Sequence, residues 1–182
     1  MPERTRKSRT SARSRQRSGS SEQTLRDLIR RERSVDKPLL LELTQTSNAN
    51  LLVAMYGSQI HYCYPAKKWY VWVAVRWCED NGGVMGRAAK QVVHELRDRA
   101  GEAGDEERTK QILKWAHKCQ SAAQQEAMLK LACSEPGISI LPEDFDRDSW
   151  LLGLPNGTLE LRTRTFRSSR PEDLITKICG VP

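Results

Sequence analysis

Long apolar runs, paired cysteines and nucleotide-binding glycine loops are all missing from this chain of 182 residues. Each absence removes a class of protein. The longest apolar stretch, around Trp69 to Val75, is far short of the roughly 20 residues that cross a bilayer, so no membrane segment is expected. Cysteines stand at 63, 78, 119, 133 and 179, an odd number with no CxxC pair, which argues against a disulfide framework. With no export signal, these thiols read as small packing residues in a reducing cytoplasm. No GxxxxGK[ST] loop occurs, so the backbone nest and lysine that would cradle ATP phosphates are lacking. No HExxH occurs either, and His94 and His117, single histidines on helical patterns, read as structural. His61 and Cys63, with Cys78 on a neighbouring strand, are the one imaginable zinc cluster. They lack a fourth ligand and standard spacing, and ordinary packing is the plainer reading.

What is present is a globular composition, with 38% hydrophobic and 29% charged residues and a mean hydropathy of -0.65. The formal charge of +7 is unevenly distributed. Residues 1–33 hold 11 Lys+Arg against 4 Asp+Glu, while residues 34–182 hold 19 of each, so the excess belongs to the N-terminal arm. Residues 1–20 contain only Met1 and Ala12 as apolar side chains, too few to offset the entropy of ordering, and the arm is expected to be disordered. It is rich in Arg and Ser like a transit peptide, yet it lacks that peptide's apolar face and the apolar centre of a secretory signal. One reading is a solubilising tail. The sharper one is a phosphate-binding arm, in which Arg4, Arg6, Lys7, Arg9, Arg13, Arg15 and Arg17 contact DNA.

Beyond residue 20, Leu25, Leu28 and Ile29 suit a short amphipathic helix over Ser21 to Arg33, broken at Lys37-Pro38. Thr46 or Ser47 is the expected cap of a helix that Gly57 stops. Ile60 to Tyr64 and Lys68 to Val75 then read as a β-hairpin, with Trp77 continuing the second strand or opening a third. Trp69, Tyr70, Trp72 and Trp77 could stack on bases, but aromatics in strands more often pack in a core. Val84 to Arg99 is a helix with Val84, Ala88, Val92 and Leu96 on one face, and Gly101 to Asp105 is a hinge. A long helical stretch from Glu107 to Cys133 follows, carrying Ile112, Ala116, Cys119, Ala123, Ala127 and Leu131 as one stripe, with a break expected near Gln120-Ser121.

Asp144, Asp146 and Asp148 alternate around Phe145. Such carboxylates can hold a divalent cation for nucleotidyl transfer or nuclease chemistry, or they can simply cap a polar turn. Leu151 to Leu161 predicts a hairpin with Asn156-Gly157 as a type I′ turn, Leu159 and Leu161 on one face and Glu160 on the other. Arg170 to Ile178 reads as a last helical turn packing Leu174, Ile175 and Ile178. Together these elements predict an α+β class: a helical domain with small antiparallel hairpins over 34–182, after a basic arm over 1–33.

The order of these motifs resembles the phage and plasmid primase–helicase family, related to the poxvirus primase–helicase. The residues that carry the resemblance are Asp148-Ser149-Trp150-Leu151-Leu152, then Asn156 to Thr163, then Arg170 to Lys177. Upstream, Ile112-Leu113-Lys114-Trp115-Ala116, Ser134 to Ile138 and the aromatic hairpin after Gly57 look similar too, so it covers roughly 44–182. Arg164 departs from it, standing where the family usually turns through glycine.

The resemblance implies the segment just before a superfamily 3 helicase core, which joins a priming half to a hexameric motor and carries no catalytic residue of its own. ATP and Mg would belong to that core, no cofactor is expected here, and the expected partners are the core or neighbouring replication-protein subunits, with DNA. The finish at Gly180-Val181-Pro182 reads as a truncated or split gene product, or an excised domain.

Overall fold

The computed structural model describes residues 42–180. The arm with its basic residues, the helix expected over Ser21 to Arg33, and Val181-Pro182 lie outside the described residues. Among the described residues the fold is α+β: four helices, α1 (Gln45–Tyr56), α2 (Val84–Gly101), α3 (Glu106–Lys118) and α4 (Ala122–Ala132), and two small sheets.

The first helix begins earlier than Thr46 or Ser47 would make it. Thr44 is the cap, its hydroxyl accepting the Ser47 N–H at 3.1 Å. Gly57 ends α1 in a right-handed conformation and leads into a 3-10 turn. Asp80, upstream of Gly83, caps α2, its carboxylate accepting from the N–H groups of Val84 at 2.8 Å and Met85 at 2.9 Å. Asp105 caps α3 through the N–H groups of Glu107 and Arg108. Between α3 and α4 the three-residue turn Cys119 to Ser121 resets the helical phase. Ile112, Ala116 and Cys119 are buried as expected, but beyond the turn Met128 and Ala132 are buried and Leu131 is exposed. The stripe therefore does not run on through Ala123, Ala127 and Leu131.

The first sheet has the order β3-β2-β1-β4, from β1 (Ile60–Cys63), β2 (Lys68–Val73), β3 (Arg76–Glu79) and β4 (Ser139–Ile140), antiparallel except for the β1/β4 pair. Trp77 thus belongs to a third strand. Register separates two faces. Ile60, Val71 and the half-buried Tyr62, Trp69 and Val73 pack on α1, α2 and α4. On the other face His61 stacks on Trp77 at 4.5 Å, Trp72 meets Trp77 edge to face at 5.7 Å, and Tyr70 meets Phe145 at 4.7 Å.

The second sheet has the order β5-β6-β7, from β5 (Leu151–Leu154), β6 (Gly157–Glu160) and β7 (Thr165–Arg167). A chain segment running from Leu174 to Cys179 straps it to the first. The Trp77 N–H donates to the Ile175 carbonyl at 2.8 Å, and the Cys179 N–H donates to the Gly153 carbonyl at 2.8 Å, so one segment bonds the edges of both sheets. The last helical turn expected there is only a 3-10 turn, Pro171–Asp173, after which Leu174 takes a left-handed φ of 51° and the chain extends. Extension follows from the neighbours: main-chain bonds to two sheet edges cannot be made by a helix that satisfies its own.

Candidate functional site

The aromatic hairpin is core and no base platform. Trp77 is 1% exposed and its indole N–H donates to the Pro171 carbonyl at 2.8 Å, while Trp72 is buried and Trp69 and Tyr70 are half-buried. The imagined zinc cluster is divided by the same pleat. His61 and Cys63 point to the strap side, while Cys78 pairs with Val71 and points to the helices. Burial lowers the His61 pKa, against an opposing contribution from its contact with the Ile138 carbonyl. The Cys133 thiol, buried, is pushed up to about 11. His94 and His117, read as structural, lie on outward helix faces and pack in no core.

The three alternating aspartates do not converge on a common point. Asp144 accepts the Leu141 N–H at 3.1 Å, and Asp148 accepts the Trp150 N–H at 2.9 Å. Asp146 turns the other way and holds the strap, accepting from Thr176 N–H at 2.7 Å, Thr176 Oγ1 at 2.5 Å and Lys177 N–H at 3.3 Å. Its own N–H donates to the Leu174 carbonyl at 3.0 Å. Burial pushes the Asp146 carboxyl up, but the Thr176 and Lys177 hydrogen bonds and the Lys177 charge outweigh it and hold its pKa below the ordinary value. Among the described residues no group of three His, Cys, Asp or Glu has metal-holding geometry. The polar-turn reading is the one the geometry supports.

The hairpin turn also differs from its prediction. Leu154 pairs with Gly157, so Pro155 and Asn156 form the loop, and neither Asn156 nor Gly157 has a positive φ. Gly157 is needed for another reason. A Cβ there would lie 2.5 Å from the Arg167 carbonyl oxygen and 2.5 Å from Phe166 Cζ. Arg164, where glycine was expected, adopts a left-handed φ of 57° in the β6–β7 turn, so the turn keeps the glycine-type backbone without the glycine.

Sequence reasoning missed which way the second sheet faces. Leu152 and Leu161 look outward: Leu161 is 41% exposed and Leu152 37%, beside Trp150 at 45% and Phe166 at 51%. The inward face is Gly153 and Thr158, because the strap lies so close that a Cβ on Gly153 would stand 2.6 Å from the Lys177 carbonyl oxygen. Behind Trp150 is a recess of about 510 Å³ walled by Asp144, Arg147, Asp148, Arg162 and Glu172. Arg167 grips Asp173 with two bonds of 2.7 Å, and these hold its guanidinium charged.

None of the described helices is long and apolar enough to cross a membrane. Among curated proteins, the chain is 34% identical over 67 residues to "Putative helicase 184R" of Invertebrate iridescent virus 6. That stretch is 37% of this chain and 7% of the viral protein, so the chain spans a small part of its relative. The sequence pattern of the family described as D5 N terminal like matches residues 49–182, which takes in both sheets, the strap and all four helices but for the first turn of α1. The chain therefore belongs to the D5 N-terminal-like family, and with it to the relatives of the phage and viral primase–helicases.

Proposed function

We propose that this replication-related domain is the accessory segment of a phage- or plasmid-type DNA primase–helicase, docking to a superfamily 3 helicase core or neighbouring subunits and not catalysing a reaction by itself. The observation that carries this reading is the family match over 49–182, which takes in nearly all of the described fold. Two further facts support it: no phosphate-binding loop lies within the 182 residues, and Asp144, Asp146 and Asp148 are each engaged in holding backbone. DNA is held mainly through the arm, by Arg4, Arg6, Lys7, Arg9, Arg13, Arg15 and Arg17, because the other 149 residues are charge-balanced.

Mixing the chain with a superfamily 3 helicase core from a phage-type primase–helicase, and measuring mass by light scattering, tests the docking: a heteromeric species is expected, and independent elution overturns it. Purified chain is expected to show no ATP turnover above a buffer blank. Turnover that disappears on mutating this chain would refute the non-catalytic reading. Engaging about four to six phosphates on duplex DNA gives a log-log salt slope of about −4 to −5. Removing residues 1–33 is expected to abolish duplex binding.

A further inference from the structure

Among the described residues, none covers the most apolar face of the second sheet, where Trp150, Leu152, Leu161 and Phe166 are exposed. Register sets Leu152, Leu159 and Phe166 in one cross-strand row. The Leu161 N–H, donating to the Trp150 carbonyl at 2.8 Å, continues the ladder and places Leu161 and Trp150 in the next row. Both rings on this face are held in defined seats. Phe166 lies over Gly157, which leaves room for it only by lacking a Cβ. Trp150 has the Arg162 guanidinium 5.1 Å from its ring centroid, an attraction of cation and π-face.

The charge along the strands of this face is basic, while the recess behind Trp150 is acidic. Residues 149–170 contain Arg162, Arg164, Arg167 and Arg170 against Glu160 alone, a local balance of +3 that the remainder of the neutral body offsets with −3. Arg167 is engaged by Asp173, whereas no ion pair among the described residues joins Arg162, Arg164 or Arg170 to a carboxylate. An apolar protein partner would use the leucines but would have no need of that excess. A polyanion with exposed flat rings uses both. Single strands offer unstacked bases to aromatic side chains and phosphates to guanidinium groups, while a duplex keeps its bases stacked on each other.

We propose that the outward face of β5, β6 and β7 is a platform for single-stranded DNA, with Trp150 and Phe166 stacking on bases and Arg162 and Arg164 contacting phosphates. The carboxylates of Asp144, Asp148 and Glu172 in the recess behind Trp150 repel phosphate, so the backbone of the strand runs along the Arg162 and Arg164 side. This site is separate from the arm and goes beyond the accessory reading, which holds DNA mainly through the arm.

The test uses the full chain with Arg4, Arg6, Lys7, Arg9, Arg13, Arg15 and Arg17 all replaced by Gln, and fluorescein-labelled oligo(dT) read by anisotropy. This background is expected to keep binding oligo(dT) and to prefer it to a duplex of equal length by about tenfold or more, as stacking requires. Trp150→Leu and Phe166→Leu are each expected to weaken oligo(dT) binding by about tenfold, with Trp150→Phe retaining most of it. Arg162→Gln with Arg164→Gln should make the single-strand salt slope shallower by about 1.4, two phosphates at roughly 0.7 each. Leucine keeps the apolar character, and circular dichroism establishes that each variant is folded. Should Trp150→Leu disturb folding, Phe166→Leu, the more exposed of the two, gives the same reading. Unchanged affinity in the folded leucine variants overturns the platform, as does absent binding or absent strand preference in the arm-neutral background. The arm is judged separately, by duplex binding of the native chain.

Discussion

The two sheets of this domain use apolar residues in opposite ways. In the first, both faces carry buried residues: Ile60 and Val71 under helices, Trp72 and Trp77 on the other face, where Trp77 bonds Pro171 and Ile175. In the second, one face is a bed for the strap, built of Gly153 and Thr158, and the other turns Trp150, Leu152, Leu161 and Phe166 to water. Under the strap, small residues inside with large ones outside is the reverse of what burial selects. The difference teaches that the strap, not side-chain hydrophobicity, orients the second sheet. Main-chain bonds to Gly153 and Trp77 demand a close approach that no large inward side chain would permit.

The sharpest way to break this contrast is one substitution made in each region. Trp77→Ala removes a fully buried indole and its bond to Pro171, and is expected to cost about 3–5 kcal/mol. Trp150→Ala, on the exposed face, should cost no more than about 1 kcal/mol, most of it the Arg162 contact. Urea unfolding of both variants measures this. Equal losses would show that Trp150 supports the fold. Next in size is Gly153→Ala. Its methyl group would meet the Lys177 carbonyl oxygen at 2.6 Å and Ile175 Cγ2 at 2.8 Å, so the strap must move, at about 1–3 kcal/mol. Amide exchange at Cys179, whose N–H bonds to Gly153, should accelerate with it.

Much of the first region was legible in the sequence. The steps of four along α2 report burial directly, and the density of Tyr, Trp and Val marks β1 and β2, because the side chains that carry these patterns also fill the core. Legibility failed where a tertiary neighbour decided. The Met128–Ala132 face was invisible because a three-residue turn resets phase without any residue announcing the angle. Asn48, buried between α1 and α3 with its side chain between the Trp115 indole at 3.3 Å and the Cys119 sulfur at 3.2 Å, reads in sequence as an ordinary polar helix residue. The reversal of the second sheet was hidden for the same reason. Leu159 and Leu161 alternate as a half-buried strand should, and only the strap, almost entirely outside the hairpin's own sequence, decides which face is covered. Arg164 shows the limit from the other side: a left-handed residue without glycine was flagged by the resemblance and by no local rule.

The Asp146 clasp allows a smaller test, in pH. Its carboxyl has a folded pKa below the ordinary 3.8, so the stabilisation it provides is fully present above that value and fades as pH falls through the lowered one. In Asp146→Asn the clasp is weakened at neutral pH. The difference in urea midpoint between native chain and variant should therefore be constant above roughly pH 5 and shrink below roughly pH 4. A difference that persists unchanged into acid would mean that the carboxylate's charge has no part in holding Thr176 and Lys177.

The least expected effect has the opposite sign and completes the comparison of glycines. Gly153 and Gly157 are crowded by backbone and by Phe166, whereas Gly86, exposed in the first turn of α2, has nothing within 4 Å of where a Cβ would stand. Its φ is not left-handed. A methyl group there meets no neighbour and restricts only the unfolded chain, so Gly86→Ala should stabilise by about 0.5 kcal/mol, since alanine is the better helix former. The same chemical change thus destabilises at Gly153 and stabilises at Gly86. If thermal unfolding showed both substitutions destabilising to a similar degree, the close approach of the strap would not be the cause at Gly153, and the reversal of the second sheet would need another explanation than the bed it provides.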